Sequence, residues 1–434
     1  AKTLGVVGKT GLALGATLTG SVLVGVKQVT NEAAKLEAQM APVMRYVDGL
    51  ADASGKASNA MAQNGKTFAQ NYADMKNYIQ DLSTEIPRTT EQITTMSAAL
   101  GQSGKDVTEQ LQSGILRDTA VAATAMDLDD QTAGDYMAKW EVAFTKRDAE
   151  GNKTNYSHDD VMRLMNQINY LGANNDTTAA EIASSVNKSA SIGQLAGVDP
   201  STTAAIATAM QATGVDTERT GTTISRIYTN ISKGSSATKA QQEMWEELGF
   251  TATGIASSMQ KDGTGTLMKV FGAINQLPDE RKIAALNTLF NQWAVEGSAK
   301  VTNNLDLLMK TLSEVSDESA YSGSMEREFA INTGTEESLR TMRDNAKTVL
   351  MQDLGDSFLP AQKELTRLQL DIYKGIDENL PDLSNLANSI LPLLRTAVEG
   401  IGAAAQWALP WIQKGVDYLA NNGPQAAGGI AAII

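Results

Sequence analysis

The chain is 434 residues long, carries a net charge of −14, and has no cysteine and one histidine; this excludes disulfides, thiolate chemistry and any metal site built on two imidazoles. The acidic balance excludes nucleic acid held by bulk electrostatics, which needs clustered Lys and Arg, and leaves open only a local basic patch that no run of Lys or Arg marks. Hydrophobic residues make up 42% of the chain but aromatics only 5%, so cores must be filled by Ala, Met and other small side chains, which suits closely packed helices.

The first element is a glycine-spaced apolar segment from Gly5 to Val26. Gly11 and Gly15 form a small-xxx-small pair, with Gly20 further along, and this spacing predicts a face where helix backbones approach closely. From Thr10 to Val26 there is no acidic residue and no Lys or Arg, yet the stretch falls short of the ~20 apolar residues of a membrane span, and its threonines weaken it further. From Asn31 to Leu50 an amphipathic helix carries Leu36, Met40, Val43, Met44 and Val47 on one side. A polar break from Ser54 to Lys66 follows, then a helix over Phe68 to Leu82. Pro87 starts a helix with Ile93, Met96 and Leu100, stopped by Gly101 and Gly104. Ser103 with Asp106 reads as a capping box leading into Val107, Leu111 and Leu116. Asp129 to Phe144 is helical, and Lys146 to Ser157 is a polar surface loop.

Val161, Leu164, Met165, Ile168 and Leu171 give the cleanest helical stripe in the chain. Between Gly172 and Gly234 one small unit repeats: an acidic cap, a short amphipathic helix, a glycine stop. Asp176 opens a helix with Ala179, Ile182, Ala183, Val186 and Ala190 on its buried face, running out near Gly193 and Gly197. Asp199 caps the next, with Pro200 at the first helical position, where a missing N–H costs nothing; it stops at Gly214. Asp216 starts another, which ends near Gly234. Short helices follow around Glu243 to Leu248 and Leu267 to Ile274. Pro278 begins one with Ile283, Leu286, Leu289, Phe290 and Trp293 on its inner face.

After Thr335 the period changes. Leu354, Phe358, Ala361, Leu365, Leu368 and Ile372 are spaced four, three, four, three and four, a heptad seam of the kind that faces a partner helix. Pro360 lies inside it and kinks or starts the helix there. From Leu391 the chain is apolar, interrupted by Pro392, Pro410 and Pro424. Trp407 and Trp411, one turn apart, make this a hydrophobic hairpin or a segment in contact with membrane. The whole reads as an all-α chain without strand signals: an apolar and an amphipathic helix over 1–50, a helical linker over 51–84, a multi-helix core over 85–315, a long helix with a short coiled-coil-like seam over 316–376, and an apolar helical segment over 377–434 that belongs to something longer.

No catalytic set assembles. Gly8-Lys9-Thr10 invites a phosphate-loop reading, but the required earlier glycine position holds Thr3. Asp148, Glu150 and Asn152 near Gly151 miss the calcium-loop spacing, which puts glycine sixth and a carboxylate twelfth. Ser157-His158-Asp159-Asp160 has triad residue types side by side, which is a helix cap, with Ser157 at the N-cap and Asp160 three residues on. The neighbours Glu246 and Glu247, like Asp279 and Glu280, point to different sides of a helix and read as surface or first-turn charges. No cofactor, metal or enzymatic activity is expected.

Several segments in order resemble the conserved core of phage tail tape measure proteins. They are Ala34 to Val43 (AKLEAQMAPV), Asn166 to Leu171 followed by Asn174, Gly197-Val198-Asp199, Ala204-Ala205-Ile206, Gly214, Thr222-Thr223-Ile224 through Ile231, Leu248-Gly249-Phe250 and Leu289-Phe290. The likeness covers roughly residues 30 to 310. Where the family usually has glycine after the Leu-Phe pair, this chain has Asn291, and Leu36 stands where Phe is usual. The resemblance implies a structural protein lying in the lumen of a phage tail tube. It would be made in the host cytoplasm, set tail length during assembly, and leave with or ahead of the DNA. It implies several parallel copies, often three, and as partners the tail tube protein, distal tail or baseplate hub proteins, tail assembly chaperones and, during ejection, the host inner membrane. Sequence-specific binding of nucleic acid is not implied. The contacts expected to matter are Gly11, Gly15 and Gly20 for helix packing, and Leu354, Phe358, Leu365, Leu368 and Ile372 for self-association. A different reading, a membrane-active helical pore or translocator, draws on the apolar stretches Thr10 to Val26 and Ile401 to Ile434.

Overall fold

The computed structural model describes residues 20–147, 152–360, 362–364 and 366–367. These residues form nineteen α-helices, one 3₁₀ turn and a two-stranded hairpin, an all-α fold. In chain order the helices are α1 (Gly20–Tyr46), α2 (Phe68–Glu85), α3 (Thr90–Gln102), α4 (Val107–Gln112), α5 (Ile115–Ala125) and α6 (Asp130–Ala143). After the hairpin come α7 (His158–Asn174), α8 (Ala179–Leu195), α9 (Pro200–Gln211), α10 (Thr217–Ile231), α11 (Lys239–Glu247), α12 (Ala252–Lys261) and α13 (Gly263–Asn275). The last are α14 (Asp279–Phe290), α15 (Val295–Asn303), α16 (Leu305–Ser316), α17 (Glu318–Tyr321), α18 (Ser324–Thr333) and α19 (Glu336–Asp356). The chain divides into two compact units, one of residues 42–341 and one that joins residues 1–41 to 342–434.

Within the unit of residues 42–341, helix starts are written by side chains that satisfy orphan amides. Thr67 with Gln70, Thr89 with Gln92, Ser157 with Asp160, Thr178 with Glu181 and Thr238 with Gln241 each form a full capping box. Three starts differ from the sequence reading, the first being α3, which begins at Thr90 behind the Thr89 cap and not at Pro87. Asp106 with Glu109, not Ser103, makes the box ahead of α4, while Ser103 is the C-cap of α3. Thr178, not Asp176, caps α8. In the last two cases a nearby Ser, Asp or Thr has the right chemistry, and the first residue whose N3 partner is Glu wins.

The repeat region forms the centre of this unit. Helices α8, α9 and α10 pack against one another, and α16 covers α9. The stripe Ile182, Ala183, Val186 and Ala190 of α8 is buried, as is every residue of the α7 stripe from Val161 to Leu171. Small side chains let α9 go almost fully inside, and Thr203 Oγ1 meets Tyr228 OH at 3.0 Å, tying α9 to α10 through a bond that leaves neither hydroxyl orphaned. The scarce aromatics are concentrated: Tyr136, Trp140, Phe144 and Tyr156 stack in a ladder with centroids 4.9, 5.6 and 5.8 Å apart. Trp140 Nε1 donates to Asn187 Oδ1 at 3.1 Å, so the ring is buried without an unmet donor.

The predicted polar loop contains the only strands among the described residues, β1 (Thr145–Arg147) and β2 (Lys153–Asn155), antiparallel with Lys146 opposite Thr154. Strands of three polar residues are too short to show a period of two in sequence. Two side chains placed on the inner face of α14 are outside: Ile283 is 65% exposed and Trp293 is 68% exposed. Leu286, Leu289 and Phe290 carry the burial of that helix instead. The chain then leaves α14 through Asn291, whose backbone (φ 69°, ψ 164°) lies where side chains are strained and glycine is at ease.

In the other unit, α1 meets the carboxyl end of α19 and the residues that follow it. Gly355 makes the closest approach: a side chain there would strike the Val29 carbonyl oxygen and sit 2.9 Å from Ala33 Cβ. Farther along, Lys363 Nζ pairs with the Glu37 carboxylate. Gly355 to Lys363 and Val29 to Glu37 both advance eight residues, so the chain from Gly355 to Lys363 follows α1 in a parallel sense.

Candidate functional site

Of the contact residues named from sequence, Gly11, Gly15, Leu365, Leu368, Ile372, Trp407 and Trp411 lie outside the described residues, as do most of the apolar stretches Thr10 to Val26 and Ile401 to Ile434. Gly20 is the first residue of α1. Phe358 is buried and Leu354 half-buried. Phe358 lies in the turn that follows α19, whose own buried positions are Asn345, Gln352 and Gly355. The close backbone contact expected of a small residue is therefore made here by Gly355 on α1 of the same chain. Among the described residues no helix is long and apolar enough to cross a membrane, and no group of His, Asp and Glu has the arrangement of a metal site.

The densest charged constellation surrounds the single histidine, at the amino end of α7. The capping box fixes the residues around it: Ser157 Oγ donates to Asp160 Oδ2 at 2.8 Å and accepts from the Asp160 amide. The serine hydroxyl is thereby engaged in the cap. His158 Nε2 lies 2.8 Å from Asp118 Oδ2 on α5, and His158 Nδ1 lies 3.7 Å from Glu141 Oε1 on α6. At 3.7 Å the second contact is an ion pair, not a hydrogen bond; neither atom has a hydrogen-bond partner among the described residues. Lys105 Nζ closes the cluster at 2.5 Å from Glu141 Oε2. The Asp118 hydrogen bond, then Glu141, raises the His158 pKa to about 9 against the opposing effect of burial. Burial pushes the Glu141 carboxyl up, but His158 and Lys105 outweigh it and hold the carboxyl below its ordinary value. The imidazolium is thus a charged rivet joining three helices. The cap around His158 is plain in the sequence; Asp118 and Glu141 are distant along the chain and carry no local signal.

Beside the rivet lies a cleft of about 530 Å³. Its walls are the β-hairpin, one side of α7, the turn from α8 into α9, and the end of α12. The floor depends on Gly197: its φ of +87° and the carbonyl oxygen of Met259 pressed against it leave no room for a side chain. Lys146, Lys153, Arg163 and Lys261 line the cleft, with Asp160 and Asp199 as its carboxylates. Asp160 is 3% exposed; its Oδ2 lies 2.5 Å from Lys146 Nζ and its Oδ1 pairs with the Arg163 guanidinium. Burial alone would push the Asp160 carboxyl up, but Lys146 and Ser157 hold it at about 2.

Residues 76–291 match the family model described as phage-related minor tail protein. A stretch of 244 residues, 56% of the chain, is 28% identical to the probable tape measure protein of Halomonas phage phiHAP-1. The chain is thus similar to phage minor tail and tape measure proteins. The span matched by the family model takes in helices α3 to α14 together with the histidine rivet and the cationic cleft. The chain spans 27% of the length of that curated relative. No solved structure matches the chain.

Proposed function

We propose that this chain is part of a scaffold in the lumen of the tail tube that sets tail length during assembly and leaves at genome ejection, with no side chain making or breaking a covalent bond. The observation that carries this reading is the family match across the central helices. Physical chemistry supplies the reason a helical chain suits this role. An α-helix rises about 1.5 Å per residue, so a count of residues becomes a distance. The globular unit of residues 42–341 folds its helices back on themselves. The length-setting part therefore lies outside this unit, or forms when its helices open. Small Ala- and Met-rich helices with many ends favour such opening, since units of low local stability open first.

In this reading parallel copies, three of them, associate through the seam around Leu354, Phe358, Leu365, Leu368 and Ile372 and through the glycine face at Gly11, Gly15 and Gly20. The parallel pairing of α1 with the helix around Gly355 is a precedent for such side-by-side packing within one chain. Further partners are the tail tube protein, the distal tail or baseplate hub, assembly chaperones in the host cytoplasm and the inner membrane at ejection. The test is a phage carrying three extra heptads in the helical arm after residue 356. Its tails should lengthen by about 30 Å, from the helical rise over twenty-one residues. Tails of unchanged length would refute the proposal.

A further inference from the structure

We propose that the cleft between the β-hairpin and α12 binds a phosphate-bearing ligand. Charge points this way first. In a chain of net charge −14, the fold gathers Lys146, Lys153, Arg163 and Lys261 from four separate elements around one cavity, where the carboxylates among the described residues are Asp160 and Asp199. Gathering like charges is unfavourable unless something offsets it. Asp160 offsets part: buried, with both oxygens engaged, it holds Lys146 and Arg163 on the wall. The Lys153 and Lys261 side chains form no ion pair or hydrogen bond among the described residues.

Donor geometry points the same way. Arg163 gives Asp160 one terminal nitrogen, Nη2, and its side chain is half exposed, so the rest of its planar fork is available to a tetrahedral oxyanion. Lys146 is likewise partly exposed and keeps further donors. The wall opposite is the amino end of α9, a helix of twelve residues with Pro200 and Ser201 in its first turn. Its N-cap residue, Asp199, makes no side-chain cap bond, whereas the N-caps Asp106, Asp129 and Asp216 all do. Cations on one side and an uncapped helix start on the other are the two elements that phosphate recognition combines. A volume near 530 Å³ fits a ligand the size of a nucleotide or a few linked phosphates.

Calorimetry on the full chain at low salt tests this with three probes: inorganic pyrophosphate, a 5′-phosphorylated oligonucleotide of four bases, and tetraglutamate. Pyrophosphate should bind one per chain, and the double substitution Lys153→Ser with Lys261→Ser should weaken it at least tenfold. Both lysines lack partners, so the melting temperature should not move. Lys239→Ser, on an exposed face of α11, should leave binding unchanged. An oligonucleotide that binds tenfold tighter than pyrophosphate, with the same loss in the double variant, identifies the source as a phosphodiester strand; equal or weaker binding identifies a free phosphorylated compound. Absence of binding by both phosphate probes, indifference to the double substitution, or tetraglutamate binding as tightly as pyrophosphate would each overturn the proposal.

Discussion

Replacing His158 with Gln removes the rivet while keeping a polar side chain of similar reach. The pKa of the imidazole rises from 6.5 to about 9 on folding, and at 1.36 kcal/mol per unit this is about 3 kcal/mol of differential stability. The side chain is 23% exposed, so solvent screens this only modestly. The sign follows from linkage: a group whose pKa is raised in the folded state contributes in full below its unfolded value, here 6.5, and loses that contribution as pH climbs through about 9. Glu141 acts in the opposite sense. Held below its ordinary 4.5, it contributes above that value and loses its contribution as pH falls below it. Stability from the cluster should therefore be greatest between about pH 5 and 6.5. Urea unfolding of both forms at intervals from pH 6 to 10 reads this out directly. The wild-type chain should start about 3 kcal/mol more stable than the Gln variant and converge on it by pH 10. A constant gap across that range would show that His158 contributes packing and not charge, and the electrostatic account would fail.

Three further outcomes are expected. Asn291→Gly should stabilise the chain by about 1 kcal/mol, because it relieves a backbone strain of ~1–3 kcal/mol while giving up the bonds that Asn291 Oδ1 accepts from Arg226 and the Trp293 amide; a lower melting temperature would contradict this. Trp140→Ala should cost ~3–5 kcal/mol in chemical denaturation, since it empties the middle of the aromatic ladder and orphans Asn187; a loss below 1 kcal/mol, the size of a surface change, would mean the ladder does not hold the core. Gly355→Leu should force the Val29 backbone away and abolish the Lys363–Glu37 pairing, read as lost proximity between spin labels placed at exposed positions of those two helices; unaltered distances would mean the parallel pair is held elsewhere.

Helix identity was legible wherever an apolar stripe met a capping residue, as in α7, α8 and α10. Short helices such as α12 and α15 escaped notice because two or three turns rich in Ala, Thr and Ser give little periodic contrast, whereas the single long helix predicted from 316 is broken at 322–323 and 334–335 into α17, α18 and α19. The misplacement of Ile283 and Trp293 has a simple cause: an apolar stripe on a surface helix can be wider than the strip its neighbours cover. Asn291 was different. Its departure from the glycine usual in resembling chains was visible in the sequence, and the structure supplies the reason in its φ of 69°. The two charged features were not legible. Asp118, Glu141 and His158, like Lys146, Arg163 and Lys261, meet only through tertiary packing, and no local spacing encodes a meeting of residues from separate elements.

The parallel pairing of α1 with the helix near Gly355 has a temporal consequence. Glu37 and Lys363 stand 326 positions apart, so the ribosome must add all of the intervening chain before the second partner emerges. At about 5–20 residues per second, that interval is on the order of tens of seconds. Throughout it the Ala33 side of α1 lacks the segment that covers it in the folded chain. A nascent polypeptide in that condition must be shielded by another molecule or risk adhering to its siblings on the same polysome, which makes the timing of synthesis itself a determinant of which strands come to lie together.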